Sequence, residues 1–123
     1  MKRVPAYEKK NYEATEVVKV RDGDLTGVVI EDGEAEIFAG IPYAKAPVGE
    51  LRWKAPEDPE PWDGILKADT FAPMNYQPRN LPIYYSLYQI IGFHDYKWLD
   101  MKDNYQPAVS EDGLYLNLWR PAG

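Results

Sequence analysis

Short β-branched and apolar runs are separated by Asp-Gly dipeptides in the first third of the chain. Residues 17–20 precede Asp22-Gly23, and residues 25–30 precede Asp32-Gly33 and a further run at 34–38. Asp-Gly between β-rich runs is typical of hairpins, because a type I′ turn needs the positive φ that Asp and Gly tolerate. The pattern predicts a three-stranded antiparallel meander over residues 16–39.

Residues 1–15 and 40–80 lack such a pattern. The first segment is polar with mixed charge, which fits a frayed tail or a short helix equally well. The second is predicted to be extended coil, because proline removes a ladder donor and fixes φ. Trp53 and Trp62 are expected to anchor this coil. The prolines concerned are Pro42, Pro47, Pro56, Pro59 and Pro61.

Aromatic residues dominate residues 81–109, which we predict to be a loop with short helices. Helical spacing relates five apolar side chains there: Leu81, Tyr84, Tyr85, Tyr88 and Ile91. Such a stripe fits a core face, and it also fits the lining of a pocket.

The last predicted strand, residues 113–120, is apolar on both faces. Leu114, Leu116 and Leu118 alternate with Tyr115, Asn117 and Trp119. A strand of this kind is usually interior to a sheet that is covered on both sides. With 123 residues, the chain has too little other material to cover a large sheet, so the strand predicts further protein against it.

Charge and composition exclude several classes of function. The net charge of -6 argues against a nucleic-acid partner, for which a clustered basic patch is expected. No apolar run approaches the length that spans a membrane, and no secretory signal follows Met1. The absence of cysteine fits a reducing compartment, so we expect a cytoplasmic protein.

Groups that could carry catalysis are few. His94 is the single histidine, and the serines are Ser86 and Ser110, neither of which sits in a G-x-S-x-G turn. No Ser-His-Asp triad can be built from them. The acidic residues around the Asp-Gly turns lack calcium-loop spacing, and no phosphate-binding or dinucleotide motif is present, so neither a metal nor a cofactor is predicted.

Two long motifs resemble one family. One is Ser110-Glu111-Asp112-Gly113-Leu114-Tyr115-Leu116-Asn117-Leu118-Trp119, which is similar to a SEDCLYLNVW signature. The other, residues 38–53, is similar to F-x-G-I-P-Y-A…P-x-G-x-L-R-[FW]. Both are features of the type-B carboxylesterase and cholinesterase family of α/β-hydrolases. The resemblance covers the chain from about Val17 to its end.

The resemblance implies an α/β-hydrolase N-terminal fragment whose last strand belongs to a large central sheet. It implies hydrolysis of a small carboxylic ester through a serine acyl-enzyme, with every catalytic residue outside this chain. The partner would then be the C-terminal remainder of the esterase, as a separate or nicked chain. Residues 81–109 correspond to a region near the mouth of the active-site gorge, so Tyr84, Tyr85, Tyr88 and Phe93 are candidates for lining the substrate pocket.

The resemblance also assigns two structural pairs. Arg52 corresponds to a partner of Glu111 in a structural salt bridge, and if that pair is buried, breaking one side of it could cost about 3–5 kcal/mol. Asn75 and Gly113 stand where many secreted members carry two disulfide-bonded cysteines. The alternatives to an ester hydrolase are a non-catalytic cholinesterase-like binding or adhesion protein, and an independent small β binding module.

Overall fold

The computed structural model describes residues 4–5, 12–77 and 108–123. This part of the chain is built from strands, turns and extended segments. The strands are β1 (Val4–Pro5), β2 (Val18–Val20), β3 (Gly23–Thr26), β4 (Val28–Ile30), β5 (Ala35–Pro42), β6 (Ile65–Lys67), β7 (Thr70–Phe71) and β8 (Tyr115–Pro121). Single 3₁₀ turns lie at Glu31–Gly33 and Gly49–Leu51.

The strands form three small sheets. Their orders are β1-β7, β2-β3-β6 and β4-β5-β8. All pairs are antiparallel except β3 with β6, which run parallel. The two three-stranded sheets pack through β5, and they define the core.

Both Asp-Gly dipeptides lie in hairpin connections. Val20 pairs with Gly23 around the first, and Ile30 pairs with Ala35 around the second. The prediction of one continuous three-stranded meander is nevertheless wrong, because β3 and β4 belong to different sheets. The chain changes sheets at Gly27, where a Cβ would lie 2.7 Å from Cδ1 of Phe38. Only a residue without a side chain lets the backbone pass this close to β5.

The core consists of two clusters on opposite faces of β5. Phe38 packs with Leu25 and Ala68 on one face. Ile37 packs with Val28 and Ala39 in the other cluster. Successive side chains of a strand point to opposite faces, so the adjacent residues Ile37 and Phe38 contribute to separate cores.

The prediction that residues 40–80 form coil is wrong in part. β5 extends to Pro42, Gly49–Leu51 forms a 3₁₀ turn, and β6 and β7 lie inside the segment. Three- and two-residue strands carry no readable period, and β6 forms because Leu66 pairs with Leu25, 41 positions earlier in the chain. Long-range pairing therefore decides the structure here, which local patterns do not encode.

The described part of residues 1–15 is extended. Val4–Pro5 pairs with β7, and Ala14 forms a bridge to Val28. Thr15 is the buried polar residue of this region. Its hydroxyl accepts a hydrogen bond from the Gly27 amide at 2.9 Å and donates one to the Glu16 carbonyl at 2.9 Å. These bonds satisfy the backbone at the point where the chain changes sheets.

Trp62 anchors the coil as predicted from its position, and Trp53 does not. The Trp62 indole N–H donates to the Asp24 carbonyl at 2.7 Å, and its backbone amide donates to the Asp22 carbonyl at 3.0 Å. The ring covers Gly23, where a Cβ would lie 2.7 Å from Cε2. Trp53 is 90% exposed and buries almost nothing.

We expect Gly23→Ala to destabilise the protein by about 1–3 kcal/mol, because the new methyl overlaps the Trp62 ring and φ of 153° is unfavourable for an L residue. Gly64→Ala is the matched control, since its φ is also positive but no atom lies within 4 Å of the added Cβ. The free energies of unfolding of both variants in urea separate the steric overlap with Trp62 from the strain of the backbone. Equal losses at the two positions would contradict the packing of Trp62 on the turn.

Candidate functional site

The chemistry-bearing residues predicted from sequence lie mostly outside the described part of the chain. This applies to Ser86, His94 and the four pocket candidates Tyr84, Tyr85, Tyr88 and Phe93. Ser110 is described, and its hydroxyl oxygen accepts a hydrogen bond from the Asp112 amide at 3.1 Å. Ser110 thus stabilises the turn that leads into β8.

The structure brings Arg52 and Glu111 together. The guanidinium Nη2 lies 2.9 Å from Oε1 of Glu111. The Arg52 and Glu111 side chains are 55% and 39% exposed, so the large penalty expected for breaking a buried pair does not apply. An exposed pair contributes about 0.2–1 kcal/mol. The pair joins the segment after the 3₁₀ turn Gly49–Leu51 to the turn before β8.

Asn75 and Gly113 also lie in contact. A Cβ at Gly113 would be 3.0 Å from Cγ and 3.0 Å from the backbone nitrogen of Asn75, and Gly113 is buried. Neighbouring backbone bonds hold the two segments together: Met74 N–H donates to the Ala108 carbonyl at 3.0 Å, and Ser110 N–H donates to the Met74 carbonyl at 2.9 Å. Hydrogen bonds and packing therefore close the loop between these two positions, in a chain without cysteine.

β8 is the most incompletely packed element of the described chain. It pairs with β5 along one edge only, at the end of the β4-β5-β8 sheet. Leu116, Leu118 and Trp119 are 39%, 45% and 56% exposed. By register, Leu116 and Leu118 share one face and Trp119 lies on the other, so apolar surface is open on both sides of this strand.

A β-bulge in β5 sets the register of β8. The pairing shifts between Phe38 and Ile41, and Gly40 lies at φ 75° inside the bulge. The Gly40 amide donates to Oδ1 of Asn117 on β8 at 2.9 Å, which satisfies a donor that the ladder leaves unpaired. The sequence motifs did not predict this contact, although a glycine inside a strand pattern is itself a sign of a bulge.

Near the C-terminal end of β8, Arg120 makes an ion pair and a cation–π contact with β5. Nε of Arg120 lies 2.5 Å from Oε2 of Glu36, whose side chain is 13% exposed. The guanidinium also lies 5.1 Å from the ring centroid of Phe38. Arg120 therefore covers the core cluster beneath β5 and gains a charge partner at the same time.

A cleft of about 240 Å³ lies beside β8 and the loop stem. Asn75, Gly113, Tyr115 and Asn117 line it together with residues 71–74. The Tyr115 hydroxyl donates to Oδ2 of Asp112 at 3.2 Å, and burial, followed by the Asp112 charge, raises the pKa of Tyr115. The described residues that line this cleft thus present neutral donors and acceptors at pH 7.

Among the residues that the structure describes, no three His, Cys, Asp or Glu side chains cluster as metal ligands. In the same part of the chain, no helix has the length and apolarity needed to cross a bilayer. The described residues of this region form polar contacts around β8, which pairs with β5 along one edge.

Residues 14–123 match the model of the carboxylesterase family. The chain belongs to this family. Carboxylesterase 4A of Bos taurus is 39% identical over 104 residues, which are 80% of this chain and 16% of that protein. The resemblance seen in the two sequence motifs is thereby confirmed.

Solved esterase structures give the fold. A PNB esterase superposes with a TM-score of 0.63 at 33% identity and covers 85% of this chain and 18% of its own. A carboxylesterase of Geobacillus stearothermophilus superposes with a TM-score of 0.61 at 39% identity and covers 88% of this chain and 17% of its own. The fold class is that of α/β-hydrolase esterases, and the chain spans less than a fifth of the length of these relatives.

A double-mutant cycle of Arg52→Ala and Glu111→Ala is expected to give a coupling of about 0.2–1 kcal/mol that falls as salt rises, because both side chains are exposed. The cycle of Arg120→Ala and Glu36→Ala is the comparison, and the better burial of Glu36 should make its coupling larger. Urea unfolding at low and high salt measures both. A salt-independent Arg52–Glu111 coupling above that of Arg120–Glu36 would contradict the exposure of the pair.

We expect the double variant Asn75→Cys/Gly113→Cys to form a disulfide under mild oxidation, because the two positions are in contact. Closing the loop should raise stability by about 2–4 kcal/mol over the reduced protein. Thiol titration and melting with and without reductant measure this. Asn75→Cys/Leu114→Cys is the control, and equal disulfide yield in both would show that the register of the two segments is wrong.

Proposed function

We propose that the chain is the N-terminal portion of a carboxylic ester hydrolase. Its chemistry would proceed through a serine acyl-enzyme, with the nucleophile, its base and the oxyanion hole supplied by residues outside this chain. The observation that carries the proposal is the family match over residues 14–123 in a chain that spans 16–18% of the relatives compared. The substrate would be a small carboxylic ester.

In this proposal the role of the chain is structural. β8 would be an interior strand of the central sheet, and the remainder of the esterase would be its partner. The open edge of β8 and the exposed Leu116, Leu118 and Trp119 support this, since burying such a side chain fully contributes about 1.5–3 kcal/mol. One domain divided in this way should bury more than a standard protein–protein interface.

We also propose that at least one of Tyr84, Tyr85, Tyr88 and Phe93 lines the substrate pocket. An aromatic wall would bind an acyl or alcohol group without taking part in its chemistry. A core position is the other assignment for these residues. Both rest on the sequence, because this stretch lies outside the described residues.

A cytoplasmic location completes the proposal. The protein sequence contains no cysteine, and Asn75 and Gly113 stand where many secreted members have a disulfide. Structural disulfides are retained mostly in oxidising compartments. The location can be tested by fractionating cells that express the untagged full-length protein.

The full-length polypeptide is expected to hydrolyse p-nitrophenyl acetate and to be labelled by a fluorophosphonate on a serine beyond residue 123. Residues 1–123 alone should give neither signal, because Ser110 stabilises a turn and no elbow motif is present. Initial rates and peptide mapping of the label measure the two effects. Labelling at Ser86 or Ser110, or an inactive full-length protein, would refute the proposal.

In the active protein, changing one pocket aromatic, for example Tyr84→Ala, is expected to raise KM more than it lowers kcat, since it removes uniform binding. A core residue would instead lower the free energy of unfolding by about 3–5 kcal/mol on truncation and leave substrate preference unchanged. Steady-state kinetics across acyl lengths, together with urea unfolding, distinguishes the two. If all four alanine variants lose stability and none changes preference, these residues are core.

A further inference from the structure

Trp53 combines two unfavourable features in one residue. Its ring is 90% exposed, and its backbone lies at φ 63°. A bulky residue in the left-handed region is a genuine outlier, and such strain persists only where the surrounding structure holds it. An exposed indole also leaves a large apolar surface in water. Within the described part of the chain, the ring buries too little apolar surface to offset this cost.

The arrangement is nevertheless held firmly. The Arg52 amide donates to the Gly49 carbonyl at 3.2 Å and the Lys54 amide to the Leu51 carbonyl at 3.1 Å, so backbone bonds fix the chain on both sides of Trp53. The Arg52 guanidinium lies 5.4 Å from the Trp53 ring centroid. That guanidinium is itself held at 2.9 Å by Glu111. The backbone that carries the ring is therefore held in place, and the guanidinium contact favours one side of the ring, which lowers the entropy lost when it binds.

The position of Trp53 relates it to the open strand. Glu111 lies in the turn that leads into β8, and the Leu114 carbonyl at the start of β8 accepts a bond from the Tyr43 amide at 3.2 Å. The Tyr43 side chain is 50% exposed. Residues 52–53 are thus joined through Glu111 to the turn that precedes β8, whose Leu116, Leu118 and Trp119 are exposed. Trp and Arg are also the residue types most enriched among interface hot spots.

We propose that Trp53 is a preorganised anchor that inserts into an apolar pocket on the remainder of the esterase polypeptide, with Arg52 and Glu111 as positioning residues. The inference rests on the proposed function, because the occupant is the polypeptide beyond residue 123. That occupant is favoured over a second copy of the chain by the Arg52–Glu111 pair, which ties Trp53 to the turn before β8, and by relatives of which this chain covers only 16–18%. The anchor would fix the coil at residues 43–64 against the rest of the enzyme.

Photo-cross-linking in the full-length protein tests the proposal. Trp53→p-benzoylphenylalanine is expected to give an intramolecular cross-link to a peptide beyond residue 123. Tyr76→p-benzoylphenylalanine is the control for an aromatic that is 70% exposed, and it should give at most a small fraction of that yield. A cross-link confined to residues 1–123, a dimeric product, or a yield equal to that of the Tyr76 control would overturn the proposal.

Stability gives a second, independent measurement. Trp53→Ala in the full-length protein is expected to raise the unfolding equilibrium constant more than tenfold, and Trp53→Phe should recover part of the loss. Tyr76→Ala should change it less than threefold. Loss at Trp53→Ala no greater than at Tyr76→Ala would overturn the anchor. Neither measurement requires turnover, so an inactive full-length protein would refute the proposed ester hydrolysis and leave the docking test readable.

Discussion

The double burial of β5 is the constraint on which the rest of the described structure depends. Ile37 and Phe38 are both nearly fully buried on opposite faces of one strand, so each face requires its own cover. Leu25 of β3 and Ala68, the residue after β6, cover the Phe38 side, and Val28 covers the Ile37 side. The consecutive strands β3 and β4 must cover different faces of β5. The chain therefore changes sheets between them, at Gly27.

The two sheets are joined at Ala68 by backbone as well as by packing. Its amide donates to the Thr26 carbonyl at 2.7 Å, and its carbonyl accepts from the Ala39 amide at 2.9 Å. Ala39 directly precedes Gly40, whose amide is taken by Asn117 of β8. A short chain of polar contacts therefore links β3, β5 and β8. Because each buried backbone donor needs a partner, this chain of contacts restricts the register of all three strands.

Local signals in the sequence predicted the hairpins, and long-range requirements decided the rest. Asp-Gly between β-rich runs marked both hairpin connections, although it is the glycines Gly23 and Gly33, and not Asp22 or Asp32, that adopt positive φ there. The division into two sheets was not, because it depends on Gly27 passing close to Phe38, and no single segment records that distance. β6 was missed for the same reason, since Leu66 forms a strand only because it pairs with Leu25.

In the candidate site, the family motifs predicted which residues lie close together but not how strongly they interact. Arg52 and Glu111 meet at 2.9 Å, as the resemblance implied, yet their exposure places the pair among surface ion pairs and not buried ones. The same motifs placed Asn75 beside Gly113 without showing that the contact is packing. The solvent exposure of two paired side chains depends on all the residues that surround them, whereas the motifs specify only the paired residues.

The surface ion pairs and the exposed apolar side chains of this chain differ in how much free energy they can contribute. Arg52–Glu111 is a surface ion pair, and such contacts are individually weak. Among the described residues, in contrast, β8 leaves three large apolar side chains open on two faces and pairs along one edge only. Long exposed apolar edges promote association, and natural proteins normally blunt them with charge, proline or a covering element. Pro121 ends the strand and Arg120 precedes it, while residues 115–119 carry no charge at all. In the described part of the chain neither charge nor proline protects this edge over residues 115–119, so apolar burial, and not the ion pairs, is the larger source of free energy that this region can still supply.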